Sequence, residues 1–353
     1  MADQCPEDSG GSRVMIDGIE TRELISLDSP DMVLRATYHK VCKENFSPQA
    51  EPINRNRIGI LFLGSLSPTR AATGDSAVYW ADSFAKSGYP SFRLDLPGFG
   101  DSDGDPPAGL LELIDSGGFA PIVSAKAREI VERFGLSGVI LVGLCAGALS
   151  AIFGARATKE CRGLILIDPY FHLPLGRRSK IWEKLTGRIS RSFLGRGIDN
   201  LSDRLKSYWV LLTGSKPPAN ANFPLLNCWK DVASAGLPIV LFKASPGFKH
   251  RGEFDFINHV LKLAGRRSRV VVRVIEGAGH TFSDRIGRVA VRENVENWLA
   301  VNFATSLREK NSGGPLLSKN HDGRSDNSIR ELHPQSAFVL KGRQIRSSMQ
   351  IRE

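Results

Sequence analysis

Residues 138–144, GVILVGL, are apolar or glycine throughout and run without a linker into CAGALSAIFGARA. A strand with one face in water alternates polar and apolar side chains. An unbroken run therefore fits a strand buried on both faces, in a parallel sheet covered by two layers of helix. Further short, mostly apolar runs lie at 32–40, 58–64, 91–96, 163–168, 238–244 and 270–277. Stretches with helical spacing fill the intervals, at 77–88, 121–135, 146–157, 254–265 and 288–304. Strand and helix in repetition predict an α/β fold, a mainly parallel sheet with helices on both faces. A chain of 353 residues is long for one such domain and short for two, so one large domain with an insertion and tails is expected.

The junction at 143–147 also constrains chemistry. In GLCAG, Gly143 and Gly147 stand two residues to either side of Cys145. A strand that turns this tightly into a helix lifts its central residue onto a strained tip above the sheet. Glycine on either side avoids collision with the neighbouring strand and helix. A nucleophile at the tip has the helix N-terminus beneath it, which favours negative charge, and the backbone N–H of Ala146 as one oxyanion donor. A second donor is expected from the turn after 58–64, at Ser65 or Leu66, although GSLSPTR lacks the His-Gly pair common in such turns. The same pattern also describes a free cysteine packed at a buried strand end.

The rest of the chain narrows the classes of function. The domain is read over 14–305, between a polar N-terminus at 1–13 and a basic tail at 306–353 that loses apolar periodicity; both ends are expected to be disordered. About 68 residues separate Pro169 from Leu237, more than a crossover needs, so a helical cap is expected over 169–236. This interval is rich in Arg and Lys, including Arg177, Arg178, Lys180, Lys184 and Arg188. Such a rim is either a solvated lid surface or an attractor for an anionic substrate. The five cysteines are scattered and lack metal-site spacing. With no Gly-rich dinucleotide fingerprint, phosphate loop or His and carboxylate cluster, no cofactor is expected. The formal charge of +10 is spread along the chain rather than set in an aromatic-interleaved motif, so no nucleic acid is expected as partner. No apolar run reaches the roughly 20 residues of a membrane span. MADQCPEDSGGSR has acids where a secretory signal has a basic start, which points to the cytoplasm.

Two further segments complete a resemblance. RLDLPGFGDSDGD at 93–105 is a strand ending in a Gly-rich acidic turn, and IEGAGHTFSD at 275–284 is a strand ending in a loop that carries His280. With the elbow, these resemble the α/β-hydrolase superfamily over about residues 25–304. FLGSLSPTRAATGD, with Arg70 before the first helix, and GLCAGA look like the bacterial hydrolases associated with the exosortase system. The resemblance implies the α/β-hydrolase fold with a helical cap, Cys145 as nucleophile and His280 as general base, in the chain order such enzymes show.

The acid is where the pattern departs. The superfamily usually supplies it after the strand that here reads PIVLFKA, but the following SPGFKHRGEFD has Phe248 near that place. Asp168, at the end of LILIDPY, is the first candidate, as in some lipases of the fold; Asp255 is second and Glu253 third. The plainer reading of Asp255 is a partner for a helix dipole. The expected reaction is attack by Cys145 on the carbonyl of a small-molecule or lipid-like acyl substrate, an ester or thioester, through an acyl-enzyme. The alternatives are an acyltransferase like the polyhydroxyalkanoate synthases, whose elbow is also G-x-C-x-G, and a non-catalytic binding protein of this fold.

Overall fold

The computed structural model describes residues 14–16, 19–29, 32–41, 57–64, 69–173, 216–244 and 254–303. The readings made for 1–13, most of the cap and the C-terminal tail lie outside these residues. The strands are β1 (Val14–Ile16), β2 (Ile19–Ser29), β3 (Met32–His39), β4 (Ile58–Leu63), β5 (Ser91–Leu94), β6 (Gly138–Leu144), β7 (Cys161–Ile167), β8 (Ile239–Ala244) and β9 (Val270–Ile275). The helices are α1 (Ser76–Lys86), α2 (Leu110–Asp115), α3 (Ala120–Arg133), α4 (Ala146–Ala157), α5 (Phe223–Ser234), α6 (Phe256–Ala264) and α7 (Arg285–Phe303).

The strands form one sheet in the order β1-β2-β3-β5-β4-β6-β7-β8-β9. Pairing is antiparallel from β1 to β5 and parallel from β5 to β9. The side-chain period of two sends successive residues of each central strand to opposite layers. Leu61, Leu63, Leu141, Leu164, Leu166 and Leu241 pack in a core with α3, α4 and α5. Their neighbours Ile60, Phe62, Val142, Ile165 and Phe242 pack in a second core with α1 and α7. All seven residues of β6 are buried, as its unbroken apolar run demands. The indole N–H of Trp80 donates to Arg288 O (3.0 Å), tying α1 to α7, and that of Trp229 donates to Val260 O (2.8 Å), tying α5 to α6. Neither buried indole is left without an acceptor.

Four elements depart from the sequence reading. β1 and β2 add an antiparallel extension at one end of the sheet; β2 buries Ile25 and Leu27 while Leu24 is exposed, and its charged residues hide the run. The six-residue α2 is too short to show a helical period. α5 falls inside the interval read as cap, yet it packs on α4 and α6 as a crossover helix between β7 and β8. Its Asn222 side chain caps it by accepting from Leu225 N (3.0 Å). Residues 174–215, with the basic run of the cap, lie outside the described residues.

Candidate active site

β4 pairs with β5 on one side and β6 on the other, so the chain changes direction along the sheet between β4 and β6. A crevice opens at the carboxyl ends of parallel strands where connections diverge in this way. Cys145 stands there, between β6 and α4, with φ 53° and ψ −113°. That conformation is disfavoured for any residue with a Cβ and persists only where surroundings enforce it. Here the enforcement is explicit: Cys145 N donates to Ile167 O (2.8 Å), and Cys145 O accepts from Ala148 N (3.0 Å) in the first turn of α4. A Cβ on Gly143 would lie 2.2 Å from Gly147 O, and one on Gly147 would lie 2.8 Å from the carbonyl oxygens of Leu63 and Gly64. Both positions therefore require glycine. Ala146 is the first residue of α4 and buried. Its N–H is among the donors a helix leaves without an internal acceptor. Ser65 and Leu66, the other oxyanion candidates, lie outside the described residues.

Asp168 follows β7 directly. Its N–H donates to Phe242 O (2.8 Å), extending the ladder to β8, and its φ of 47° turns the chain away from the sheet. The side chain is buried, with Oδ2 on His280 Nδ1 and Oδ1 on the Lys243 ammonium. Burial alone would raise its carboxyl pKa, but the hydrogen bond with His280 and the ion pair with Lys243 outweigh burial and hold it below the ordinary range. The other imidazole nitrogen, His280 Nε2, is 3.1 Å from Cys145 Sγ. The hydrogen bond to Asp168, then that to Cys145, pushes the His280 pKa up to about 10 against burial. The structure thus brings Cys145, His280 and Asp168 into one hydrogen-bonded line.

The loop that presents His280 is pinned at both ends. Phe282 is fully buried in the α7 core, and its N–H donates to Gly279 O (3.0 Å). Asp284 accepts from Gly279 N (3.3 Å) and Gly287 N (2.8 Å). Asp255 takes the plainer of its two readings: it caps α6, accepting from Asn258 N (3.0 Å) and Nδ2 (2.7 Å). Glu253 and Phe248 lie outside the described residues.

Arg70 meets a different set of partners. Its Nε donates to Thr37 Oγ1 (2.8 Å), and its Nη1 pairs with Asp95 and with Asp101 (2.7 Å). Asp103 accepts from Val33 N (2.8 Å), so the acidic loop after β5 spends its carboxylates on Arg70 and the backbone. Arg70 also lines a small cleft with Leu63, Gly64, Trp80, Leu144 and Ile167, beside the elbow. Among the described residues no group of three or more His, Cys, Asp or Glu could hold a metal ion. No described helix is long and apolar enough to cross a membrane.

Two features escaped the sequence reading. Lys243 reads as part of a strand, and only the β7/β8 register, Ile167 opposite Phe242, sets it across from Asp168. The Tyr170 phenol and the Asp115 carboxyl are electrostatically coupled, and the field at Tyr170 includes Cys145; burial first, then Asp115, raises the Tyr170 pKa. Tyr170 and Asp115 are 55 residues apart in the chain, and no spacing links them.

Residues 67–291 match the sequence profile of the alpha/beta hydrolase family. No curated protein matches the chain in sequence. Among solved structures, the chain is similar to the Pyrococcus furiosus esterase Pf2001 at 15% identity, with a TM-score of 0.51, over 86% of this chain and 96% of that one. It is also similar to DcsB, solved with a substrate analogue, at 15% identity and a TM-score of 0.52, over 80% of this chain and 99% of that one. At such identities the likeness is one of fold.

Proposed function

The chain belongs to the alpha/beta hydrolase family, and we propose that within it this protein hydrolyses acyl esters or thioesters through Cys145, with His280 as base and Asp168 as the acid behind it. The observation that carries the reading is the line Sγ, Nε2, Nδ1, carboxylate, in which each group is within hydrogen-bond reach of the next.

In this mechanism the thiol proton of Cys145 passes to His280 Nε2 and the sulfur attacks the acyl carbonyl, forming a C–S bond. The oxyanion develops beside Ala146 N–H. As the intermediate collapses, the bond to the leaving group breaks and the His280 proton goes with the leaving oxygen or sulfur. Water then gives a proton to His280 and attacks the thioester carbonyl; the C–S bond breaks and sulfur regains its proton. Asp168 stays ionised and accepts from Nδ1–H, fixing the tautomer and stabilising the imidazolium.

A thiol nucleophile favours thioesters, because exchanging one thioester for another costs little. The basic run over 177–206 suits an anionic acyl donor, and the resemblance to exosortase-associated hydrolases suits a role beside that system. The structural likeness to an esterase agrees with the acyl-transfer class. The test is a panel of short and long acyl thioesters and p-nitrophenyl esters, run with wild type and Cys145→Ala. Turnover by wild type and its loss in the variant are expected. Equal turnover by both, or none by either, overturns the reading; polymer formation from a hydroxyacyl thioester moves the protein to the polyhydroxyalkanoate-synthase type.

A further inference from the structure

We propose that Lys243 is a positioning residue that acts through Asp168 to limit the proton affinity of His280, so that the imidazolium can give its proton up. This deepens the proposed function and rests on its assignment of His280 as base. The geometry comes from the sheet. In the parallel pairing of β7 with β8, Ile167 lies opposite Phe242, and Asp168 N–H continues the ladder by donating to Phe242 O (2.8 Å). Asp168 and Lys243 are thus the next residues on adjacent strands, at the carboxyl edge where the site opens. The Lys243 ammonium takes Asp168 Oδ1 while His280 takes Oδ2, so one carboxylate serves two cations. Lys243 Nζ also lies 3.5 Å from Pro169 O.

The consequence follows from the demands of general acid and base chemistry. A proton carrier works best when its pKa is near the working pH. His280 has two neighbours that stabilise its charged form, Asp168 and Cys145, which push its pKa up to about 10. That value is reached with Lys243 in place on the far side of the carboxylate; removing the ammonium leaves Asp168 more negative, so the imidazolium would hold its proton more tightly still and act as a poorer acid toward the leaving group. Asp168 does not need Lys243 to stay in place: its backbone is held by β8 and its side chain is buried.

Asp284, in the histidine loop, accepts from Gly279 N and Gly287 N. Tyr170, whose field reaches Cys145, is coupled to Asp115.

The experiment is a pH titration of the full chain labelled with ¹³C-histidine, followed by NMR, with His280→Asn assigning the His280 signal. Lys243→Met and, as a second neutral replacement, Lys243→Gln are expected to raise the His280 pKa by about half to one unit, and Lys243→Arg to leave it at the wild-type value. An unchanged pKa in both neutral variants overturns the proposal. A lowered pKa also overturns it, since that is the result if Lys243 merely props Asp168 in place. The functional reading is tested separately: if iodoacetamide labels Cys145 equally fast in wild type and His280→Asn, the base assignment fails whatever the titration of His280 shows.

Discussion

Cys145 is held at φ 53° and ψ −113°, where a Cβ is a steric liability and glycine is at ease. In a relaxed position alanine is more stable than glycine, by about 0.5–1 kcal/mol within a helix or strand. At this tip the order reverses: Cys145→Gly is expected to be more stable than Cys145→Ala by about 1 kcal/mol in urea unfolding, since only glycine relieves strain of about 1–3 kcal/mol. Alanine proving the more stable would mean that the elbow is not strained. His280 makes a second prediction at this scale. If it takes the thiol proton, His280→Asn slows iodoacetamide labelling of Cys145 at pH 7 by about 10²-fold, the lower end of what a positioned base contributes. Cys145 and His280 are legible in the sequence because each stands alone in a short motif at the end of an apolar run. Asp168 is legible as a candidate only. Its rank over Asp255 becomes visible once the sheet sets it against His280, and Asp255 is seen capping α6.

The elements were legible where they are buried on both sides. The apolar run at 138–144 and the helical pattern at 146–157 coincide with β6 and α4. β2 was not legible, because a strand in the antiparallel extension buries one face and carries Arg22, Glu23 and Asp28 among its residues. α5 was misplaced into the cap because the connection around 174–215 obscures which helix returns to the sheet. The contact of α4 with β4 yields a prediction for this level. Gly147→Ala places a methyl carbon 2.8 Å from two backbone oxygens at the end of β4, so α4 must back away from the sheet. Loss of about 1–3 kcal/mol in stability is expected, together with slower acylation, because Ala146 N–H moves with the helix. Native-like stability and rate in this variant would show that the elbow tolerates a wider approach.

Across the whole molecule, charge is bound into networks that set the response to pH. His39, buried in β3, faces Asp82 of α1 through Nδ1 (2.7 Å) and accepts from Arg93 Nε (2.8 Å) through Nε2, while Arg22 also pairs with Asp82. Burial, the largest influence, lowers the His39 pKa against the pull of Asp82. The unfolded chain therefore takes up a proton near pH 6.5 that the folded chain resists, and stability falls as pH drops below that value. Asp82 adds a second loss. Its carboxyl is held at about 2 despite burial, by His39 and then Arg22, so its contribution is complete above the unfolded value of 3.8 and lost toward pH 2. His280, raised to about 10, acts in the opposite sense, with a contribution present below pH 6.5 that fades as pH rises toward 10; its half-exposed ring keeps this small. Thermal unfolding should thus show Tm falling from pH 7 to pH 5, with a shallower fall in His39→Gln, even if that variant starts lower. Equal slopes in the two proteins would remove His39 from the account. The mainly parallel, helix-covered sheet was readable from unbroken apolar runs set between helical patterns, whereas the strand order was not, and the pairing of Asp168 with Lys243 required the register of residues 75 apart, which no local pattern encodes.

The central claim is that Cys145 carries the acyl group. Intact-protein mass spectrometry after brief mixing with p-nitrophenyl acetate, followed by peptide mapping, reads this directly. The expected result is an acetyl adduct on Cys145 that decays on standing in water and is missing from Cys145→Ala. An adduct on another residue that persists in the Cys145→Ala protein, or ester turnover that continues without Cys145, would contradict it.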